Sequence, residues 1–95
     1  MVIVAGHLVV EAHQRAEFLA GCAEAVEQAR RATGCLDYSL SADLLDDRRV
    51  NILERWQSQA DLDAFRGDGT GDEQAAMIRG ASVAEYDIAA TRSLS

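Results

Sequence analysis

An α+β fold, with a four-stranded antiparallel sheet and helices on one face, is predicted by three observations. Leu36 to Ala42 and Val50 to Trp56 alternate at period two around the charge-rich Asp46-Asp47-Arg48-Arg49, which is the pattern of a β-hairpin. From Arg15 to Ala32 the apolar period becomes helical, and it changes again just after Trp56, at Gln57. The chain opens on VIVAGHLVV and nearly closes on SVAEYDIAA, two strand-like segments that supply neighbours for the hairpin.

The opening strand, residues 2 to 10, places Ile3, Ala5, His7 and Val9 on one face and Val2, Val4, Gly6, Leu8 and Val10 on the other. Both faces are apolar apart from His7, so both need cover: helices on one side and a second sheet on the other. The helix that follows lines up Phe18, Cys22, Ala25, Val26 and Ala29, and Gly34 is placed to take a left-handed conformation after its end. Gly21 interrupts it at a cost of about 1 kcal/mol in propensity, which fits either close packing or simple tolerance. In the hairpin Leu36, Tyr38 and Leu40 share a face, and in the return strand Val50, Ile52, Glu54 and Trp56 do. Glu54 on that face needs a partner, and Arg55 points the other way, so a cross-strand, inter-subunit or backbone donor is expected.

Ser58 with Asp61 has N-capping spacing for a short helix, Gln59 to Arg66, that presents Leu62 and Phe65 together. Gly67-Asp68-Gly69-Thr70-Gly71 reads as a flexible connection or lid, and Thr70 with Glu73 caps a further helix, Asp72 to Arg79, closed by Gly80. The GDGTGD segment as a single calcium-type turn is a poor metal site. Ser82 to Ala90 reads as the fourth strand, with Ala84, Tyr86 and Ile88 on one side, and residues 92–95 as a frayed tail. Together these elements make one domain, residues 1–95, in the ferredoxin-like split βαβ arrangement.

Composition narrows the function classes. The net charge of −7 sets arginine alone against the acidic residues, with no lysine, and disfavours a nucleic-acid partner. No apolar run approaches the ~20 residues that span a bilayer, so no membrane partner is expected, and the signal-free start predicts the cytoplasm. Cys22 and Cys35 have neither CxxC nor metal spacing and read as reduced small hydrophobes; no metal site is expected. A domain of this size buries only about 60 to 70% of its unfolded surface, which favours association.

The opening strand, the Phe18 helix, Gly34-Cys35-Leu36-Asp37-Tyr38 and above all Leu53-Glu54-Arg55-Trp56-Gln57-Ser58-Gln59-Ala60-Asp61-Leu62 resemble the antibiotic biosynthesis monooxygenase family of dimeric α+β barrels. The resemblance implies a homodimer with a pocket between sheet and helices in each subunit, and oxygenation of aromatic quinols or anthrones by O2 without flavin or metal, hence no cofactor. This chain has Thr33-Gly34 where the family has Pro-Gly, and Phe65 where a histidine is common. The haem-ligating histidine of haem-degrading members falls near Ala75, so haem is not expected.

Five residues are candidates for the site. His7, the ionisable group on an apolar strand, is the candidate proton acceptor; a hydrogen-bonded structural histidine is the plain alternative. Tyr38 and Trp56 are candidate walls for a planar aromatic substrate, and Phe65 and Met77 its roof from the helices; ordinary core packing explains the same four. The expected activity is a cofactor-independent monooxygenase using a small aromatic molecule and O2. The alternatives are a dimeric small-ligand-binding module without chemistry, and an isomerase or lyase on a small cyclic metabolite.

Overall fold

The computed structural model describes residues 1–67 and 72–95. Strand β1 (Val2–Val9) leads through a short 3-10 turn (Ala12–Gln14) into helix α1 (Arg15–Arg31). Strands β2 (Cys35–Ala42) and β3 (Arg49–Trp56) form the hairpin, and helices α2 (Gln59–Arg66) and α3 (Asp72–Met77) precede strand β4 (Gly80–Asp87). The expected lid and the Thr70 cap fall on residues 68–71 and lie outside the described residues, as does the calcium-type turn.

The sheet order is β2-β3-β1-β4 with every neighbouring pair antiparallel. β1 and β2 are therefore parallel, as are β3 and β4, and each of these pairs is joined by helical crossovers, which is the split βαβ topology. The register sets Val4 opposite Glu54 and Glu54 opposite Tyr38, so these three side chains share a face. Two buried clusters lie on that face: Val2, Val4, Trp56 and Leu62 at one end, and Val10, Phe18, Cys22 and Val50 at the other. Trp56 is fully buried and Phe18 nearly so, each a position where truncation to alanine costs about 3–5 kcal/mol.

Three departures from the sequence reading have local causes. A register shift between Cys35 and Asp37 turns Leu36 outward, leaving it 41% exposed, and puts Cys35 opposite Trp56 in its place. β4 ends at Asp87 because its partner β1 begins at Val2, the residue opposite; only the Ile88 amide reaches further, donating to the Met1 carbonyl. The last helix stops at Met77, since the chain must be extended by Gly80 to pair with Val9. Gly34 takes φ 80° as expected, and its carbonyl accepts from the Gln57 amide at 2.8 Å, tying the start of β2 to the end of β3. Gly6 sits at φ 150°, and a Cβ there would run into the β4 backbone at Ser82 and Val83.

Candidate functional site

The site grows from the alternation of β3. Period two sends Glu54 and Trp56 to the helix-covered face and Arg55 to the other. Both are buried, Glu54 at 8% exposure. The Trp56 indole Nε1 donates to Glu54 Oε1 at 3.1 Å. Within the chain, the partner that this glutamate needs is thus its own strand neighbour two residues on, and not a cross-strand or backbone donor.

Helix α2 sets the aromatic cluster. Ser58 caps it as predicted, accepting the Asp61 amide at 3.2 Å, and its fixed start places Leu62 and Phe65 over the sheet. The Phe65 ring lies 5.3 Å from Trp56 and 5.9 Å from Tyr38, edge-on to the latter, within the range of favourable aromatic contact. One residue further, Arg66 pairs with Glu85 on β4.

Between the two core clusters a cavity of about 170 Å³ remains. Leu8, Leu40 and Ile52 from the sheet and Phe18, Ala75 and Ile78 from the helical layer make its walls apolar. Among the described residues, polar groups reach it from few places: Glu54 and Tyr38 on the sheet, Gln74 on α3 and the Cys22 thiol on α1. A larger depression of about 670 Å³ between the end of α1 and α2 is a surface feature with exposed Gln28, Arg31 and Thr33 at its rim.

Burial dominates the electrostatics. Desolvation lifts the Glu54 carboxyl above its ordinary range, against the Trp56 hydrogen bond and the Arg66 charge, which favour the carboxylate; Glu85 adds to the upward push. Tyr38 is pushed up to about 12, first by burial and then by the Glu54 charge, so its phenol keeps its proton at neutral pH. Burial likewise raises Cys22. The result is a poorly solvated carboxyl group, with one oxygen held by an indole N–H, beside a phenol that keeps its proton and can donate it in a hydrogen bond.

The five sequence candidates divide. Tyr38 is on the cavity wall, and Trp56 and Phe65 form the cluster behind Glu54. Met77 packs instead with the Val10–Phe18 cluster, while its neighbours Ala75 and Ile78 line the cavity. His7 lies on the opposite face of the sheet, in register with Asn51 and Ser82, because the helices cover the even-numbered side of β1. The sequence reading did not nominate Glu54 or Gln74. A carboxylate in step with Trp56 on an otherwise apolar strand face was the available signal for the first; nothing local marked the second. Among the described residues, no cluster of three His, Cys, Asp or Glu is placed to hold a metal ion.

Comparison with known proteins places these features in a wider set. The family model for antibiotic biosynthesis monooxygenases matches residues 1–71. A Synechocystis protein, sll1783, is 32% identical over 62 residues, 65% of this chain; the matched stretch spans 42% of that relative's length. A Deinococcus radiodurans structure with the same family description superposes with a TM-score of 0.85 at 20% identity, covering 100% of this chain and 99% of that one. Rv0793 from Mycobacterium tuberculosis does so with a TM-score of 0.78 at 22% identity, covering 97% and 98%. At these identities the structural likeness concerns the fold.

Proposed function

Because the chain belongs to the antibiotic biosynthesis monooxygenase family, we propose that it is a cofactor-independent monooxygenase in which Glu54 takes a proton from a small aromatic hydroxyl and O2 is the oxidant. The observation that carries this reading is the Glu54–Trp56 hydrogen bond at the wall of an apolar cavity. A desolvated carboxylate is a stronger base than one in water, and a dry pocket lets it act at neutral pH. His7 faces away from the cavity, so the proton-acceptor role passes to Glu54; Tyr38 remains as the aromatic wall residue, and Trp56 and Phe65 support it from the cluster behind Glu54.

For a hydroquinone the electrons balance without a cofactor. Glu54 removes one hydroxyl proton, and the electron-rich anion passes an electron to O2. The radical pair closes a carbon–oxygen bond, giving a ring-bound peroxide. As its O–O bond breaks, the ring carbon that carries it gives up its own proton and keeps one oxygen as a carbonyl; the departing oxygen takes that proton and the one Glu54 held and leaves as water. One hydroquinone and one O2 thus give one hydroxyquinone and one water. The Tyr38 phenol donates a hydrogen bond to the developing oxyanion.

The open face of the sheet supports a homodimer. Leu53 and Tyr86 are 40% and 51% exposed there, beside Ile3 and Ala5, and packing against a second copy would remove this apolar surface from water. No described helix is long and apolar enough to cross a membrane.

An oxygen electrode tests the reaction directly. O2 uptake matched to hydroxyquinone formation is expected with the purified protein and a hydroquinone. Saturable binding with no uptake would replace this reading with that of a small-ligand-binding module.

A further inference from the structure

We infer that the cavity selects a single aromatic ring carrying oxygen substituents at its two opposite ends, that is, unfused 1,4-hydroquinones and their monoethers, with Gln74 as the specificity-determining residue. Its turnover arm rests on the monooxygenase reading above; its binding arm does not. The first support is size. An apolar cavity of about 150 Å³ accepts benzene, and the one here measures about 170 Å³. That admits one ring with its substituents, whereas a fused tricycle such as anthrone carries more than double the carbon skeleton.

The second support is the placement of the polar groups. Glu54 enters from β3 in the sheet and Gln74 from α3 in the helical layer, so the two reach the cavity from opposite walls. A ring between them meets a proton acceptor at one end and a carboxamide at the other. The carboxamide both donates and accepts, which suits the hydroxyl of the reduced ring and the carbonyl of the oxidised one.

Gly21 provides the third. It stands in the middle of α1 at a cost in helix propensity, and a Cβ added there would collide with the Gln74 side-chain amide, with Cδ at 3.1 Å. The glycine makes room for the amide of Gln74, a side chain that also lines the cavity. This resolves the open question of why α1 tolerates it: the packing is close, and what packs there is a polar arm of the site. Charge adds a further filter, since an aromatic carboxylate would be buried in the same small apolar cavity as Glu54, in a chain of net charge −7.

The test is calorimetric titration under nitrogen with 4-methoxyphenol, 4-ethylphenol, 4-hydroxybenzoate and anthrone, the first two differing only in the second oxygen. The native protein is expected to bind 4-methoxyphenol about tenfold more tightly than 4-ethylphenol, the worth of one well-made hydrogen bond. It is expected to give no saturable binding with 4-hydroxybenzoate or anthrone. In Gln74→Met and, separately, Gly21→Ala, the preference should fall to within about twofold while circular dichroism reports an intact fold. Anthrone binding as tightly as 4-methoxyphenol, a preference that survives in both variants, or no binding of either phenol overturns the inference. A parallel O2-uptake measurement separates the two readings. Selective binding without uptake removes the oxygenase and leaves the selectivity, whereas uptake with anthrone but not hydroquinone does the reverse.

Discussion

Replacing Glu54 with glutamine should move stability and activity in opposite directions. Glu54 is 8% exposed, and burial is the largest influence on its carboxyl, raising it above the ordinary 4.5. A group whose folded pKa is raised stabilises the fold fully below the unfolded value, and that contribution is lost as pH rises through the folded one. As pH rises above the ordinary value, the native protein therefore bears a growing cost for ionising a buried carboxyl, about 1.4 kcal/mol for each unit of displacement. Glutamine has the same shape and can still accept the Trp56 N–H at the 3.1 Å position, but it carries no charge. Glu54→Gln should melt at the same temperature as the parent or a few degrees higher at pH 7, and the advantage should vanish below the ordinary value of 4.5. Loss of the base should lower O2 uptake by about 10²–10⁴-fold. Scanning calorimetry from pH 4 to 8 and the oxygen electrode read the two effects. Trp56→Phe supplies a third, because removing the indole donor raises the Glu54 carboxyl further and should shift the acid limb of the activity profile to higher pH. A Glu54→Gln variant that keeps more than a third of the uptake, or that melts clearly lower at pH 7, would refute this account of the site.

Other expectations concern the frame that holds the cavity. Gly6→Ala should cost on the order of 1–3 kcal/mol from backbone strain alone, since Gly6 lies at φ 150° with Val83 Cα only 2.8 Å from the added carbon; urea unfolding without a change in slope would establish it. Asp43 organises the hairpin loop, accepting from the Asn51 side chain and from the Asp46 and Leu45 amides, which hold its carboxyl at about 2 in place of 3.8. That depressed carboxyl contributes stability above its unfolded pKa and loses it as pH falls from 3.8 through about 2, so Asp43→Ala should lie below the parent at pH 6 and converge with it near pH 2. Leu53→Asp, on the open sheet face, should yield a monomer by light scattering; an unchanged dimer mass would place the interface elsewhere.

The local elements were written plainly in the sequence. Period two across Leu36–Ala42 and Val50–Trp56, the helical period of α1, the Ser58 cap and the positive φ of Gly34 are all short-range properties, set by sterics and by hydrogen bonds spanning a few residues. The family match over residues 1–71 reflects how much of the fold such patterns carry. What they could not determine was which side of β1 the helices would cover, because Val2, Val4 and Leu8 are no more apolar than Ile3, Ala5 and Val9. That choice depends on where α1 and α2 pack, a matter of long-range complementarity, and it decides which side chains meet the cavity: it removes His7 and delivers Glu54. The same holds for the turn at Leu36 and for Gly21, which has no meaning along the chain until the Gln74 amide, 53 positions later, is brought against it.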